Sequence, residues 1–318
     1  MIFGALLMGA LCRPCPADAA DAYPARPIQI VAPYSAGGDT DLIARIMAKE
    51  LQPLLKQPVM VVNVVGGAGS IATAKVKNSP PDGYTMLLHH SGVLISTLTG
   101  AIDFSFKDMS VLGAVGISEG TVWVTGAQSP YKDMADVVKA SKANPGSVKN
   151  GVNFGSQSHT HVLAFERAAG VQLHNMDVGG LAEKNVALLG GHIDLSEVQM
   201  GTTKAYVDSG RMRVLGTPAA ERYADLPNVK TFKEQGIDVS VPDRLFWIGL
   251  PPGVPAHVMK TLSDALAKIS QSPDIKQELA KLNVGPYFKN AAETTAYLDN
   301  ENAFLAQYKD VLVGGAKK

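Results

Sequence analysis

The sequence predicts an α/β fold with two lobes, each a mainly parallel sheet flanked by helices, and a ligand cleft between them. Its 318 residues exceed what a single compact core usually absorbs. Short β-rich runs alternate with amphipathic stretches, an order that is typical of sheets built mainly from parallel strands. The same strand, glycine turn and helix occur once in each half of the chain, which indicates two similar lobes.

The composition argues against several classes of partner. The 29 basic residues balance 29 acidic ones, so electrostatics gives no reason to expect binding to nucleic acid or to an anionic membrane. Beyond the first residues, no apolar stretch is long enough to form a membrane helix. We therefore expect a monomer that binds a small molecule.

Residues 1–22 are predicted to be a signal peptide that directs the chain to the periplasm. The apolar run Ile2–Leu11 is too short to span a bilayer and is followed by an Ala-x-Ala site within Ala17–Ala22. No Lys or Arg precedes the run, so a buried strand or a disordered tail is the alternative. Cys12 and Cys15 lie in this segment, and cleavage would leave no disulfide, thiol nucleophile or thiolate metal site.

The first half of the chain carries three strands with helices between them. The strand Ile28–Ala32 leads through a turn into a helix whose apolar residues repeat every three or four positions. The strand Val59–Val62 and a glycine-rich loop precede a short Ala-rich helix. The turn Pro81-Asp82-Gly83 then introduces the strand Tyr84–Leu88.

The second half repeats this alternation. Two strands and a helix from Tyr131 to Ala143 come first, and the strand Gly151–Phe154 then leads into a helix that extends through Ala169. The C-terminal tail is predicted to be helical. The remaining strands are predicted at Val111–Val115, Thr121–Thr125, Val171–Met176, Ile193–Leu195, Arg213–Thr217 and Trp247–Leu250.

The turn after the first strand is the leading candidate for a ligand contact. In open α/β sheets, ligands bind beyond the carboxyl ends of the strands, where the next helix presents unpaired N–H groups and a positive dipole end. Glycine allows close approach of the backbone, so a carboxylate can be held without a basic side chain. The alternative is that the two glycines only form a tight turn. The candidate contacts are Tyr34, Ser35, Ala36, Gly37, Gly38 and Asp39.

A second turn repeats this arrangement in the other half of the chain. Its serine and glutamine side chains add hydrogen-bond donors, and two helix N-termini that face each other across a cleft suit a dicarboxylate or a single carboxylate held from both sides. The alternative for the histidine is that it bonds the backbone at the start of its helix. The candidate contacts are Gly155, Ser156, Gln157, Ser158 and His159.

Two charged residues lie near the predicted cleft. Asp177 ends a predicted strand before two glycines, where it either faces a ligand ammonium or hydroxyl group or caps the turn. Arg244 lies at the expected second crossing between the lobes. We expect it to form an interlobe salt bridge rather than a pair with a ligand carboxylate.

Motifs for other chemistries are missing from the sequence. The Gly66–Gly69 loop lacks both G-x-G-x-x-G and G-x-x-x-x-G-K-[ST]. His159 and His161 are two positions apart, which is not the spacing of a zinc site on a helix. Gly155–Ser158 lacks the closing glycine of the G-x-S-x-G nucleophile elbow. We therefore expect no catalytic residue, metal or cofactor.

Several short segments form an ordered set that covers the chain from about Tyr23 to its end. They are YPARPI at 23–28, PYSAGGDTD at 33–41, PDGYT at 81–85, LGGHIDL at 189–195, GRMRVL at 210–215, LPNVKTF at 226–232 and EQG at 234–236. Together, in this order, they resemble the extracytoplasmic binding proteins of the tripartite tricarboxylate transporter family, also called Bug receptors.

The resemblance implies a periplasmic-binding-protein fold, with residues 23–125 plus 243–318 in lobe 1 and residues 126–242 in lobe 2. It implies a small carboxylate ligand that backbone amides and ordered water hold in the two turns. It also implies delivery to a two-subunit membrane permease. The alternatives are a ligand-sensing receptor that docks to a sensor kinase and, with less support, an enzyme that acts on a small acid.

The chain departs from the family pattern mainly in the second lobe. Tyr34 replaces the usual Phe of the first turn, and Met176–Gly179 stands where the family often has Pro-Tyr-Lys-Gly. We therefore expect generic carboxylate capture by the first turn. Selectivity is expected on the opposite side, around Gln157, His159 and Asp177.

Overall fold

The computed structural model describes residues 23–118, 120–224 and 226–315 of the chain. The predicted signal peptide, with Cys12 and Cys15, lies outside the described residues. Within them, the strands form one seven-stranded and one five-stranded sheet. We refer to the seven-stranded sheet with its helices as the first lobe and to the five-stranded sheet with its helices as the second lobe.

The strands in chain order are β1 (Ile28–Ala32), β2 (Val59–Asn63), β3 (Thr85–His89), β4 (Ser110–Ser118), β5 (Thr121–Gly126), β6 (Lys149–Val152), β7 (His174–Asp177), β8 (Leu195–Gln199), β9 (Met212–Gly216), β10 (Arg244–Leu250), β11 (Val284–Gly285) and β12 (Lys289–Asn290). The α-helices are α1 (Asp39–Leu55), α2 (Ser70–Lys77), α3 (Gly92–Leu98), α4 (Met134–Ala143), α5 (Gln157–Ala169), α6 (Leu181–Leu189), α7 (Met200–Asp208), α8 (Ala256–Ile269), α9 (Pro273–Ala280), α10 (Ala291–Ala306) and α11 (Lys309–Gly315).

The two sheets are mixed rather than mainly parallel, which corrects the expectation from the strand–helix alternation. In the first lobe, with order β11-β4-β10-β3-β1-β2, β1 pairs in parallel with β2 and β3, whereas β10 is antiparallel to β3 and β4. In the second lobe, with order β7-β6-β8-β5-β9, β5 is antiparallel to β8 and β9. The antiparallel strands are those next to the crossings between lobes, where no crossover helix forces a parallel pair.

The crossings lie next to β5 and β10. Because β5 (Thr121–Gly126) belongs to the second sheet, the first crossing lies between Ser118 and Thr121 rather than near Thr125 as expected. The first sheet draws β1 to β4 from one end of the chain and β10 to β12 from the other. The carboxyl ends of β1 and β6, each followed by a glycine turn and a helix, therefore belong to different lobes.

Each lobe has its own apolar core. In the first lobe, Ile43 and Met47 on α1 pack against Ile30 on β1, and all three are fully buried. In the second lobe, the Trp123 ring lies 4.8 Å from the Phe165 ring, measured between centroids. Burial of each such side chain stabilises the fold by about 2 kcal/mol. Each core packs against one sheet, and each sheet carries one of the two glycine turns, after β1 and after β6.

Some element bounds differ from the expectation by a few residues. α4 begins at Met134, not Tyr131, because Asp133 caps it by accepting a hydrogen bond of 2.9 Å from the N–H of Asp136. β6 ends at Val152, so Phe154 lies in the turn that follows. No helix in the described part of the chain combines the length and apolar character that crossing a membrane requires.

Candidate functional site

The turn between β1 and α1 is open to solvent. Gly37 has a φ of 86°, a left-handed conformation that favours glycine, and a Cβ added there would meet no atom within 4 Å. α1 begins at Asp39, and Gly38 precedes it as the N-cap residue. Ser35 and Ala36 are exposed together with both glycines. This turn therefore presents backbone at the start of a long helix, as the sequence predicts.

Carboxylates of α1 already bind two of the amides at this helix start. Asp41, which is buried, accepts a hydrogen bond of 2.9 Å from the N–H of Gly37, and Asp39 accepts one of 2.7 Å from the N–H of Thr40. Burial acts to raise the pKa of Asp41, but hydrogen bonds, that from Arg45 first, hold it below its ordinary value. The Gly37 N–H is therefore occupied, and Gly37 contributes the shape of the turn.

The turn between β6 and α5 has the same design in the second lobe. Gly155 has a φ of 75°, and its N–H donates to Nδ1 of His159 over 3.4 Å. α5 begins at Gln157, which is buried together with the next residues of the helix. His159 thus bonds the backbone at the start of its helix, the plainer of its two expected roles. Burial lowers the pKa of its imidazole, and Asp177 acts in the opposite direction.

A chain of hydrogen bonds joins this second turn to α6. Lys184 Nζ donates to Ser158 Oγ over 3.0 Å, and the hydroxyl oxygens of Ser158 and Ser156 lie 2.9 Å apart. Ser156 Oγ donates to the carbonyl of Asn153 over 2.7 Å, so Ser158 must be the donor between the serines. Protein acceptors take both hydroxyl protons. Toward a ligand these serines offer oxygen lone pairs, not the donors that the sequence analysis expects.

Arg244, the first residue of β10, connects the two turns. Its Nη1 forms an ion pair of 2.9 Å with Oδ2 of Asp39, and its Nε donates to Oε1 of Gln157 over 2.9 Å. Its side chain is only 16% exposed. Asp39 and Arg244 both belong to the first lobe, so the salt bridge lies within that lobe. The hydrogen bond from Arg244 to Gln157 is its contact across the lobes.

The Gln157 side chain also contacts α10 of the first lobe. Its Nε2 donates to Oε1 of Glu301 over 3.2 Å, and the hydroxyl of Ser91 donates to the same oxygen. Glu301 is 1% exposed, and its Oε2 has no hydrogen-bond partner among the described residues. Burial raises the pKa of the Glu301 carboxyl to about 7, although Ser91 and Arg244 act to lower it. An arginine and a glutamate of the first lobe thus hold Gln157 at both ends of its amide.

An uncharged aromatic surface lies where β1 and β3 end. The Tyr34 ring stacks on the His90 ring, with 5.0 Å between centroids, and meets the His89 ring edge-on at 5.8 Å. Burial lowers the pKa of both histidines, that of His89 to about 3. Burial also raises the pKa of the Tyr34 hydroxyl. All three rings are therefore neutral near pH 7.

The second lobe holds a buried cluster of charged groups. Lys184 is 4% exposed, and its Nζ also donates to the backbone carbonyl of Glu197 over 3.1 Å. Glu197 Oε1 lies 3.7 Å from Nδ1 of His161. Burial acts to raise the pKa of Glu197, yet His161, Lys184 and Arg244 together lower it to about 2. Burial lowers the pKa of Lys184, and the Glu197 carboxylate opposes that shift.

Asp177 lies at the exposed edge of this cluster, where its charge acts on Lys184 and His159. It is exposed, and its Oδ1 accepts a hydrogen bond of 3.3 Å from the N–H of Gly179, which makes it a cap of its own turn. In the described ranges, no group of three or more His, Cys, Asp or Glu side chains is arranged to hold a metal ion.

The sequence analysis missed four polar residues that surround the turns. They are Ser91, Lys184, Glu197 and Glu301. Glu301 and Lys184 lie far along the chain from the turn residues that they contact, and Ser91 and Glu197 act through these two, so no local spacing could have pointed to them. The predicted strand Ile193–Leu195 ends before Glu197, which lies within β8 in the structure, so this buried charge was not apparent from the sequence.

A family model described as tripartite tricarboxylate transporter family receptor matches residues 43–307. The UPF0065 protein in the gbd 5' region of Cupriavidus necator is 35% identical over 283 residues, which cover 87% of this chain and 85% of that protein. Protein BugT of Bordetella pertussis is 30% identical over 287 residues, which cover 89% of this chain and 88% of that protein.

Solved structures have the same architecture. A TctC solute binding protein from Polaromonas, solved without ligand, superimposes with a TM-score of 0.73 at 27% identity and covers 92% of this chain and 99% of its own. R. palustris Rpa4515, solved with adipate, has a TM-score of 0.83 at 22% identity and covers 92% of this chain and 98% of its own. The two-lobed α/β architecture is therefore that of known solute-binding proteins.

Proposed function

Since the chain belongs to the tripartite tricarboxylate transporter receptor family, we propose that it is a periplasmic solute-binding protein for a small organic acid. The ligand lies between the starts of α1 and α5. Closure of the two lobes captures it, and the loaded receptor delivers it to a two-subunit membrane permease. The ligand leaves unchanged, so the mechanism consists of binding, closure and release.

The observation that carries this proposal is the connection between the two glycine turns. Arg244 contacts Asp39, the first residue of α1, and Gln157, the first residue of α5, each over 2.9 Å. Two helix N-termini on different lobes therefore converge on the Arg244 guanidinium. Such a meeting point suits an anion, because each helix start adds a positive partial charge.

Lobe closure supplies the binding energy in this mechanism. As the lobes meet, water leaves the space between the turns, and each hydrogen bond from an amide to the carboxylate becomes stronger in the less polar surroundings. Backbone donors hold a carboxylate without the side-chain entropy cost of a long basic residue. The hydrogen bond between Arg244 and Gln157 adds a contact that forms only when the lobes are together.

The known proteins support the location and ligand class. The Polaromonas relative is a solute-binding protein, and the R. palustris neighbour is described with adipate, a dicarboxylate. The predicted signal peptide at residues 1–22 agrees with export to the periplasm. The family name supports a permease as the partner that receives the ligand.

The site geometry also favours binding over catalysis. Ser156 gives its hydroxyl proton to the carbonyl of Asn153, and Nδ1 of His159 accepts from the N–H of Gly155. A nucleophilic serine would instead donate its proton to a base. These two residues therefore shape the second turn.

A binding screen of residues 23–318 tests the proposal. Thermal-shift assays with mono- and dicarboxylates, each paired with its uncharged amide, should find at least one acid that raises the melting temperature. At a concentration of 100 times the dissociation constant, the ligand stabilises the protein by about 2.7 kcal/mol. Calorimetry should then give one site per chain. Equal binding of acid and amide, or no binding by any acid, would exclude the proposed function.

A further inference from the structure

The side chains around the two turns carry more acid than base. Two basic groups lie there: Arg244, which is 16% exposed, and Lys184, which is buried. Arg244 is already paired with Asp39, and Lys184 is electrostatically coupled to Glu197. Glu301 is a third carboxylate in the same surroundings, and no cation in the described part of the chain forms an ion pair with it, since Arg244 pairs with Asp39. Where Glu301 is ionised, a ligand with two carboxylates would therefore meet uncompensated negative charge.

Glu301 also has unused hydrogen-bonding capacity. Both of its donors, Ser91 and Gln157, bind the same oxygen, Oε1. The other oxygen, Oε2, is buried and accepts no hydrogen bond from the described residues. A buried carboxylate oxygen without a donor costs free energy, which a donor on a ligand would recover.

The second turn favours donors on the ligand for an independent reason. The protons of Ser156 and Ser158 are committed to Asn153 and Ser156, so both hydroxyls present lone pairs. Backbone amides remain the suitable partners for one carboxylate, and the side chains beside them are mostly acceptors. The site thus suits a ligand whose two ends differ.

We propose that the ligand is a monocarboxylate with a hydroxyl or ammonium group at its other end, and that Glu301 selects this donor through Oε2. The inference rests on the proposed function, because the carboxylate end is the one that the turns capture. It transfers the selective role expected of Asp177, which is exposed and caps its own turn, to a buried acid on α10.

The test uses matched ligand sets at pH 8, where the Glu301 carboxyl is ionised. Each set starts from a dicarboxylate, from malonate to adipate, and replaces one carboxylate with a hydroxymethyl, aminomethyl or methyl group. Calorimetry should show that the best hydroxymethyl or aminomethyl acid binds about tenfold more tightly than its dicarboxylate and its methyl analogue. A hydrogen bond to a charged group has about this value.

The Glu301→Gln variant tests whether Oε2 of Glu301 causes the preference for a hydroxyl or ammonium group. Glutamine keeps an oxygen for Ser91 and Gln157 and places an NH2 donor where Oε2 was. The variant should bind the donor-bearing acid about tenfold more weakly than the wild type does, and it should bind the dicarboxylate more tightly. Asp299→Asn is the matched control, because Asp299 lies on the same helix but is 43% exposed and pairs with Lys107 at the surface.

The outcomes separate this inference from the proposed function. If dicarboxylates bind the wild type more tightly than every donor-bearing acid, the inference fails while carboxylate binding stands. If the wild type prefers donors but Glu301→Gln keeps the same ranking, the role of Glu301 is wrong. If no acid of any set binds, the proposed function fails as well. The wild-type ranking decides the ligand class even where the variant does not fold.

Discussion

Nε of Arg244 lies 2.9 Å from Oε1 of Gln157, and this hydrogen bond connects β10 of the first lobe to the start of α5 in the second. The same guanidinium holds Asp39 at the start of α1. A single residue therefore contacts the helix starts that follow both glycine turns. A hydrogen bond to a charged group contributes about 2 kcal/mol. In the proposed mechanism, this value is enough to favour closure and small enough for the bond to break on release.

The Arg244→Lys variant should open the lobes. Lysine keeps the charge but lacks the fork that contacts Asp39 and Gln157 together. We expect a larger radius of gyration in small-angle X-ray scattering and a loss of about 1 to 2 kcal/mol in the free energy of unfolding. Arg222→Lys is the control, because Arg222 grips Glu234 in the same forked manner on the exposed surface. Identical scattering from the two variants would contradict the role of Arg244.

The Gly37→Ala variant should weaken ligand binding more than it weakens the fold. An added Cβ at Gly37 meets no atom, so the cost is that of a left-handed φ, about 1 kcal/mol. Gly100→Ala is a matched control, with a φ of 74° and equally open space. Urea denaturation should show similar destabilisation in both, whereas calorimetry should show reduced affinity in Gly37→Ala alone. Equal affinities in the two variants would remove the first turn from the site.

Glu301 makes the stability of the protein depend on pH. Its folded pKa of about 7 lies above the ordinary value of 4.5, so between these values the folded state binds more protons than the unfolded state. Stability should therefore fall as the pH rises through this window, by up to about 3 kcal/mol. Burial raises the pKa, and the hydrogen bond from Ser91 and the charge of Arg244 act to lower it; Gln157 and Tyr297 also lie beside the carboxyl.

Denaturation of the wild type and the Glu301→Gln variant at a series of pH values measures this effect. Because glutamine does not titrate, the stability difference should change in favour of the variant from pH 4.5 to 7 and then level off. Asp299→Asn should give a curve parallel to that of the wild type. A parallel curve for Glu301→Gln would show that the carboxyl keeps an ordinary pKa.

The Lys184→Met variant should destabilise the second lobe strongly. Removal of one partner from a buried charge cluster costs about 3 to 5 kcal/mol, because the Glu197 carboxylate stays buried with one cation fewer beside it. The double variant with Glu197→Gln should recover part of that loss. A double-mutant cycle in urea measures the coupling. Additive losses would mean that Lys184 and Glu197 do not act as a pair.

Local patterns in the sequence predicted the two turns well. Gly37 and Gly155 both have positive φ values, and each lies between a buried strand and a helix. Both turns could be predicted because strand patterns, turn glycines and helix periodicity are visible within a few residues of sequence. The family resemblance then supplied the two-lobed fold. The sheets are mixed because β10 lies between β3 and β4 in the first and β5 lies between β8 and β9 in the second, pairings that no local pattern encodes.

The polar surroundings of the turns were not predictable for the same reason. Glu301 contacts Ser91 across a separation of 210 residues and Gln157 across 144. Such contacts depend on the packing of α10 against the first sheet and on the closure of the lobes. From the sequence, Glu301 is one acidic residue in an amphipathic helix, and only its burial distinguishes it from Asp299.

The measurement that tests the central claim most directly is a crystal structure of residues 23–318 with the tightest-binding acid from the screen. The account predicts a ligand carboxylate between the lobes, within hydrogen-bonding distance of backbone N–H groups at the starts of α1 and α5, with Arg244 still in contact with Gln157. A carboxylate bound outside the space between the two turns would contradict it.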